Sequence, residues 1–307
     1  MKSETRRDLY ADITASIITA LEAGTRPWVR SWSVNGDVTR PLRGNGVPYR
    51  GINVLNLWLS GAARGYGSPY WLTFRQAIEL GAHVRKGEKS TLVVYASTFK
   101  RTEEVETGET RERAIPFLKG YSVFNAEQIE GLPALYHPQP LPPDDDNQKI
   151  DHAEQFFANT GARIEHVGTQ PLYNHGNDLV LCPPIGAFES PVAFYVTLAH
   201  ELTHWTGAKH RLDRITDRRR DISGRAFEEL IAELGAAFIS ADLGLITTAR
   251  EENASYIANW LTALKNDKRF IFSAATMAQQ AADYLHSLQP AADADQAADD
   301  LDEGMAA

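Results

Sequence analysis

Apolar residues near the start of the chain recur at four-residue steps. Leu9, Ile13, Ile17 and Leu21 fall on one stripe and Gly24 ends the run, which predicts an amphipathic helix over residues 7–22. A loop rich in Gly, Asn and Pro follows as far as Tyr49. Leu55, Trp58 and Leu59 mark a second helix over residues 53–63, and Thr73 is placed to cap a short one from Phe74 to Leu80, closed by Gly81. Thr91 to Phe99 is rich in β-formers and Ala114 to Phe124 pairs with it naturally. The polar stretch from Glu103 to Arg113 between them reads as a hairpin tip. This half is therefore α+β.

From His137 to Asn147 the pattern disappears into a Pro-rich and then acidic segment, which we take as a linker over residues 137–150. Beyond it the periodicity predicts a helix from about Asp151 to Asn159. Short strands follow at 163–167, 172–174 and 178–181. Ser190 then caps a long helix through Val192 to Thr206, and further helices run over 225–243, 252–264 and 274–288. The expected organisation is a first domain at 1–136, a second at 151–289, and an Ala/Asp-rich acidic tail at 290–307 with the composition of a disordered segment. No internal repeat is visible.

Composition narrows the class. A hydrophobic fraction of 43% over 307 residues suffices for buried cores, and the single cysteine, Cys182, precludes an intrachain disulfide framework. Cys182 reads as a small buried residue at a strand end. No apolar run reaches the roughly 20 residues a bilayer requires, and the charged N-terminus lacks a secretory core, so a cytoplasmic protein without membrane association is expected. The net charge of −9 conceals an asymmetry: residues 26–101 hold 12 Lys and Arg against 3 acids, and the rest of the chain is strongly acidic. A localised basic region in an acidic protein suggests a localised anionic partner.

The sharpest chemistry is His200-Glu201-Leu202-Thr203-His204 on the long helix. Histidines four apart project from one helix face, so both imidazoles can reach one tetrahedral zinc, and Glu201 beside the first can serve as general base toward a water at that ion. Zn2+ is the expected cofactor, with another divalent transition metal such as Mn2+ as the alternative. A third ligand is still needed. Downstream, Glu229 and Glu233 share one face of an otherwise apolar helix, where carboxylates are costly unless paired or metal-bound. This pattern resembles the gluzincin-type zinc proteases. The resemblance implies Glu229 as ligand and Glu233 as the outer partner of His200 or His204, with Glu228 as the competitor for the ligand role. Tyr256, His210 and Arg211 are the candidates for stabilising an oxyanion. His137, His152, His166, His175 and His286 show no ligand spacing.

In the basic region cations are interleaved with aromatic residues, a combination that suits single-stranded nucleic acid: cations follow phosphates and rings stack on bases. The candidate contacts are Arg26, Trp28, Arg30, Trp32, Arg43, Tyr49, Arg50, Trp71, Arg75, Arg85, Lys86 and Lys89, with His83 in the same region. No recognition helix for duplex DNA stands out, although duplex binding stays open. Arg211, Arg214 and Arg218 to Arg220 form a second basic cluster that could extend a DNA path or simply cover the helix end.

Several segments carry a family resemblance in order and spacing. They are Leu21-Glu-Ala-Gly-Thr-Arg-Pro-Trp28, Tyr49-Arg-Gly-Ile-Asn53, Tyr70-Trp-Leu-Thr-Phe-Arg-Gln76, Gly81-Ala-His-Val-Arg-Lys-Gly-Glu-Lys-Ser90 and Leu198-Ala-His-Glu-Leu-Thr-His-Trp-Thr-Gly207. They resemble the ArdC-type antirestriction proteins of conjugative plasmids, over about residues 5–288, and the first half also resembles part of the TraC-type plasmid primases. The resemblance implies an N-terminal α+β single-stranded-DNA-binding domain followed by a zincin-like metallopeptidase domain. It further implies protection of incoming conjugated DNA from host restriction. A DNA-bound host protein is then the natural substrate of a peptidase. The alternative is a non-enzymatic DNA-coating protein in which the metal is structural. No primase catalytic segment is visible.

Overall fold

The four-residue apolar steps near the N-terminus form helix α1 (Leu9–Glu22), with Ile13, Ile17 and Leu21 buried. Asp8 caps it by accepting the Ala11 N–H. The structure, a computed structural model, describes residues 8–28, 39–104, 110–137, 146–215, 222–245 and 254–290. The acidic tail expected beyond Pro290 lies outside the described residues, as do residues 138–145 of the expected linker.

Strand β1 (Leu42–Arg43) precedes helix α2 (Ile52–Arg64), which ends on a left-handed Gly65. Strand β2 (Tyr70–Thr73) runs into helix α3 (Phe74–Glu79), which Thr73 caps as expected, with the Gln76 side chain returning a bond to the Thr73 backbone. Strand β3 (His83–Val84) leads to a long hairpin, β4 (Thr91–Glu104) and β5 (Thr110–Asn125), and β6 (Ile129–Glu130) returns to pair with β3. The main sheet has the order β1-β2-β5-β4, with β1 parallel to β2 and the other pairs antiparallel. The ladder runs out to Glu104↔Thr110, deeper into the polar stretch than the expected tip. Antiparallel pairing of this kind is carried by backbone hydrogen bonds, which polar residues form as well as apolar ones.

The second half opens with α4 (Asp146–Ala158), which starts five residues inside the stretch read as linker. A small sheet of order β7-β9-β8 follows, from β7 (Ile164–Glu165), β8 (Leu172–Asn174) and β9 (Leu179–Leu181), and Cys182 is buried just past its end. Among the described residues four helices follow: α5 (Pro191–Thr206), α6 (Ile222–Asp242), α7 (Ala254–Asn266) and α8 (Phe270–Ser287). Ser190 caps α5 through the Ala193 N–H, with Pro191 in the first turn where its missing donor costs nothing. Helix α6 buries Leu230, Ile231, Leu234, Phe238 and Ile239 and packs on α5, α7 and α8, so it is the central strut of this half.

The two halves share one hydrophobic core. Trp28 meets Trp260 edge-on at 5.7 Å, and Trp58 lies against Phe238. Polar ties reinforce the seam. The buried Arg40 donates to Asp242 and to the Gln279 side-chain oxygen, which also accepts the Gly51 N–H, and Arg50 pairs with Asp283. Among the described residues, no helix is long and apolar enough to cross a membrane.

Candidate metal centre

The site sits where α5 crosses α6, and their approach depends on Gly235. A Cβ there would lie 2.5 Å from Cγ2 and 2.6 Å from Oγ1 of Thr203, one residue before His204. Glycine is what lets the two helices come close enough to share a ligand set.

On α5, His200 and His204 present their rings one above the other, centroids 4.9 Å apart. Their Nε2 atoms turn toward one carboxylate: His200 Nε2 lies 3.5 Å from Glu229 Oε2 and His204 Nε2 lies 3.6 Å from Glu229 Oε1. One ligand atom from each of the three residues falls within 4.8 Å of the others. Ligands at about 2.0–2.1 Å from a tetrahedral zinc stand roughly 3.3–3.4 Å apart, so these residues fit a first-row divalent ion. The Nδ1 atoms are held from behind. His200 Nδ1 is 2.9 Å from Glu233 Oε1, and His204 Nδ1 is 3.2 Å from Glu228 Oε1. Such outer carboxylates set the ring tautomer and make the facing nitrogen a better ligand.

The helix geometry explains the division of labour. Glu229 and Glu233, one turn apart on α6, face the same imidazole from front and back. Glu228 is rotated by about 100° and reaches the second ring instead. Arg214 anchors Glu228: its guanidinium donates to that carboxylate, to the Thr203 carbonyl and to the Thr206 hydroxyl, and its side chain is 3% exposed. From sequence Glu228 is a rival ligand, and Arg214 belongs to a basic cluster that either extends a DNA path or covers the helix end. The structure places both behind His204. The adjacency of Glu228 to Glu229 was the available signal; nothing local marked Arg214.

The electrostatics favour a cation. Burial opposes charge on the imidazoles, but the surrounding carboxylates outweigh it, raising His200 and pushing His204 up to about 10. Burial likewise disfavours ionised Glu228 and Glu229. The imidazoles, joined by Arg214 for Glu228, nevertheless hold both below the usual carboxylate range. Three carboxylates around two imidazoles form a site whose protons a divalent ion can displace. Glu201 is buried beside His200, and among the described residues no side chain hydrogen-bonds or ion-pairs with it. Of the oxyanion candidates, Arg211 is committed to Asp178 and the Trp205 carbonyl, and His210 stands 3.2 Å from Asp178. Tyr256 instead feels the site: burial, and then the Glu229 charge, raise its hydroxyl pKa, and its ring stacks on Trp260.

The expected DNA contacts divide sharply. Trp28 and Trp71 are 2% and 3% exposed and Tyr49 is buried, so these three are core residues and cannot stack on bases in this fold. A compact half-domain must bury its largest apolar side chains, and spacing alone does not reveal which ones. Arg50, Arg75 and Arg85 are exposed but paired with Asp283, Glu79 and Glu88. Arg43 lies over the Tyr49 ring and Arg26 is half-buried. Lys86 and Lys89 are exposed with no ion-pair partner among the described residues. Arg30 and Trp32 lie outside the described residues.

Comparison with known proteins agrees with this architecture. Residues 7–124 match the family described as the N-terminal domain of anti-restriction factor ArdC, and residues 151–277 match a zincin-like metallopeptidase family. Protein y4eC of Sinorhizobium fredii (strain NBRC 101917 / NGR234) is 40% identical over 292 residues, covering 93% of this chain and 94% of that protein. A DNA primase TraC of Escherichia coli is 33% identical over 302 residues, 92% of this chain but 20% of the primase. Crystal structures of the antirestriction ArdC protein from plasmid R388 superpose on 92% of this chain and 98% of theirs. The TM-score is 0.77 at 50% identity for the metal-free form and 0.75 at 48% for the Mn(II)-bound form. With a site suited to a divalent metal and both halves matched in order, the chain belongs to the ArdC antirestriction family and joins an ArdC N-terminal domain to a zincin-like metallopeptidase domain.

Proposed function

We propose that this protein binds single-stranded DNA through its N-terminal half and protects incoming conjugated plasmid DNA from host restriction in the cytoplasm of the recipient cell. On this reading a metal-dependent peptidase site in the C-terminal half, loaded with Zn2+ or Mn2+, cleaves a DNA-bound host protein. The observation that carries the reading is the convergence of both Nε2 atoms on Glu229 while Glu233 and Glu228 back the Nδ1 atoms.

A divalent ion at this site supplies Lewis acidity toward a water and a peptide carbonyl. Glu201, with no side-chain partner among the described residues, takes the proton of the attacking water and returns it to the leaving amine nitrogen. Tyr256 stays protonated at neutral pH and donates its hydroxyl hydrogen to the carbonyl oxygen as charge develops there. The R388 relative has a Mn(II)-bound structure, which supports a divalent ion here and leaves Zn2+ and Mn2+ for metal analysis to separate.

Glu201→Gln keeps His200, His204 and Glu229 and removes only the base. Transfer of a restriction-sensitive plasmid into a restricting recipient should lose protection with this variant, while metal content and oligonucleotide binding stay at the parental level. Undiminished protection would instead establish the coating role, in which occupancy of the DNA suffices and the metal is structural.

A further inference from the structure

Of the aromatics proposed for stacking from sequence, Trp28, Tyr49 and Trp71 are buried and Trp32 lies outside the described residues, which raises the question of which rings face solvent. Among the described residues, Phe74 on α3 is one, and the other three lie together on the β4–β5 hairpin. Val93↔Tyr121, Tyr95↔Lys119 and Ser97↔Phe117 are cross-strand partners, so all six share one face of the sheet. The inner end of this face is closed: Val93 and Val123 are buried, and Thr91 meets the Ser60 hydroxyl of α2. Farther out, Tyr95, Phe117 and Tyr121 are 53%, 36% and 40% exposed. Tyr95 and Phe117 meet edge-on at 6.4 Å, and the Lys119 ammonium lies 5.0 Å over the Tyr121 ring.

Three further features decide what such a face fits. Residues 91–97 and 117–125 contain one lysine and no acid, in a protein of net charge −9. The outer edge of β4 is occupied: Asn53 bonds both the N–H and the carbonyl of Val94, and Asn56 donates to the Leu92 carbonyl. Strand addition by a partner protein is thereby blocked over this stretch, and the side-chain face is what remains. Finally, Lys86 and Lys89, exposed and unpaired among the described residues, lie just before β4.

We infer that the outer face of the β4–β5 hairpin, formed by Tyr95, Phe117, Lys119 and Tyr121, is the stacking platform for single-stranded DNA. Bases lie on the three rings, Lys119 takes a phosphate, and Lys86 and Lys89 extend the cationic track. Open sheet faces bearing exposed aromatics bind unpaired bases in this way because every base offers a π-face. This assignment rests on the single-stranded-DNA reading above and says where that binding occurs.

The test is fluorescence anisotropy with a labelled mixed-sequence single-stranded oligonucleotide and the full chain. Tyr95→Ala, Phe117→Ala and Tyr121→Ala should each weaken binding by about 5-fold or more, and the triple variant far more than any single one. Tyr95→Phe and Tyr121→Phe should bind like the parent, since stacking needs the ring and not the hydroxyl. In parallel, an oligonucleotide carrying 5-iodouracil should photo-crosslink to peptides containing residues 95, 117 or 121 in the unaltered protein, a readout that no folding defect can mimic. If the parent binds the oligonucleotide and the Ala variants bind equally well, or the crosslinks map elsewhere, the platform assignment is wrong while the single-stranded-DNA reading stands. If the parent itself fails to bind, it is that reading which falls.

Discussion

The close crossing of α5 and α6 makes Gly235 a control point for the metal centre. In Gly235→Ala the new methyl would stand 2.5 Å from Thr203 Cγ2 and 2.6 Å from its Oγ1. Carbon atoms in good contact are about 3.5–4.0 Å apart, so the helices must separate by about 1 Å or Thr203 must turn. Thr203 is fully buried and its hydroxyl donates to the Ala199 carbonyl at 2.8 Å, which opposes turning. Alanine gains about 1 kcal/mol of helix propensity over glycine, whereas overpacking of this kind costs about 1–3 kcal/mol, and a shortfall this large belongs at the upper end. The expected outcome is a net loss of stability of about 1–2 kcal/mol. Metal affinity should fall as well, because His200 and His204 ride on one helix and Glu229 on the other. A double-mutant cycle makes the reasoning strict. Thr203→Ala alone removes a buried methyl and a hydrogen bond, at about 1–2 kcal/mol. In the double variant the nearest Thr203 atom left is Cβ at 3.1 Å, and each substitution relieves the other. Urea denaturation of chelator-treated protein and calorimetric titration with Zn2+ should therefore show the double variant better than the sum of the singles by at least about 1 kcal/mol. Simple additivity, or a Gly235→Ala protein with unchanged stability and metal affinity, would refute the close-approach argument.

Three other outcomes follow from the same geometry. Glu233→Ala and Glu228→Ala should each weaken Zn2+ binding by about 10- to 100-fold while leaving all three facing ligands in place, and titration curves identical to the parent's would remove these carboxylates from the site. The raised imidazoles set a pH dependence. His204 moves from an ordinary value near 6.5 in the unfolded chain to about 10 in the folded one, so its contribution is complete below about 6.5 and is lost as pH rises toward 10. Melting temperatures of chelator-treated protein should fall across that window while the stabilisation added by Zn2+ grows, and a flat profile would contradict the carboxylate–imidazole cluster. At the seam between the halves, Arg40→Met strips Asp242 of its buried guanidinium and should cost about 3 kcal/mol. An unchanged urea midpoint would mean that the apolar contacts alone hold the halves together.

What could be read without coordinates and what could not differ in kind. The helices were legible because a stripe of apolar residues at 3.6-residue spacing and a capping Ser, Thr or Asp are local properties. Leu9 to Leu21, Thr73 before Phe74, and Ser190 before Pro191 all behave as their spacing dictates. His200, Glu201 and His204 were legible for the same reason, since one helical turn alone aligns both imidazoles. Other features depend on which elements meet. Spacing put Glu229 and Glu233 on one face of α6, but only the packing of α5 on α6 assigns Glu229 to both Nε2 atoms, Glu233 to His200, and Glu228 with Arg214 to His204. The tight contact of Gly235 with Thr203 spans thirty-two positions of sequence and leaves no local trace. The aromatic residues show the limit most plainly. Trp28 and Trp71 carry the same stacking chemistry as Tyr95 and Tyr121, and the fold buries the first pair against α7 and α2 while leaving the second on an open sheet face. Composition states how much aromatic surface a chain possesses; which part of it reaches solvent is decided by the competition to fill a shared core, and that is a property of the whole folded molecule.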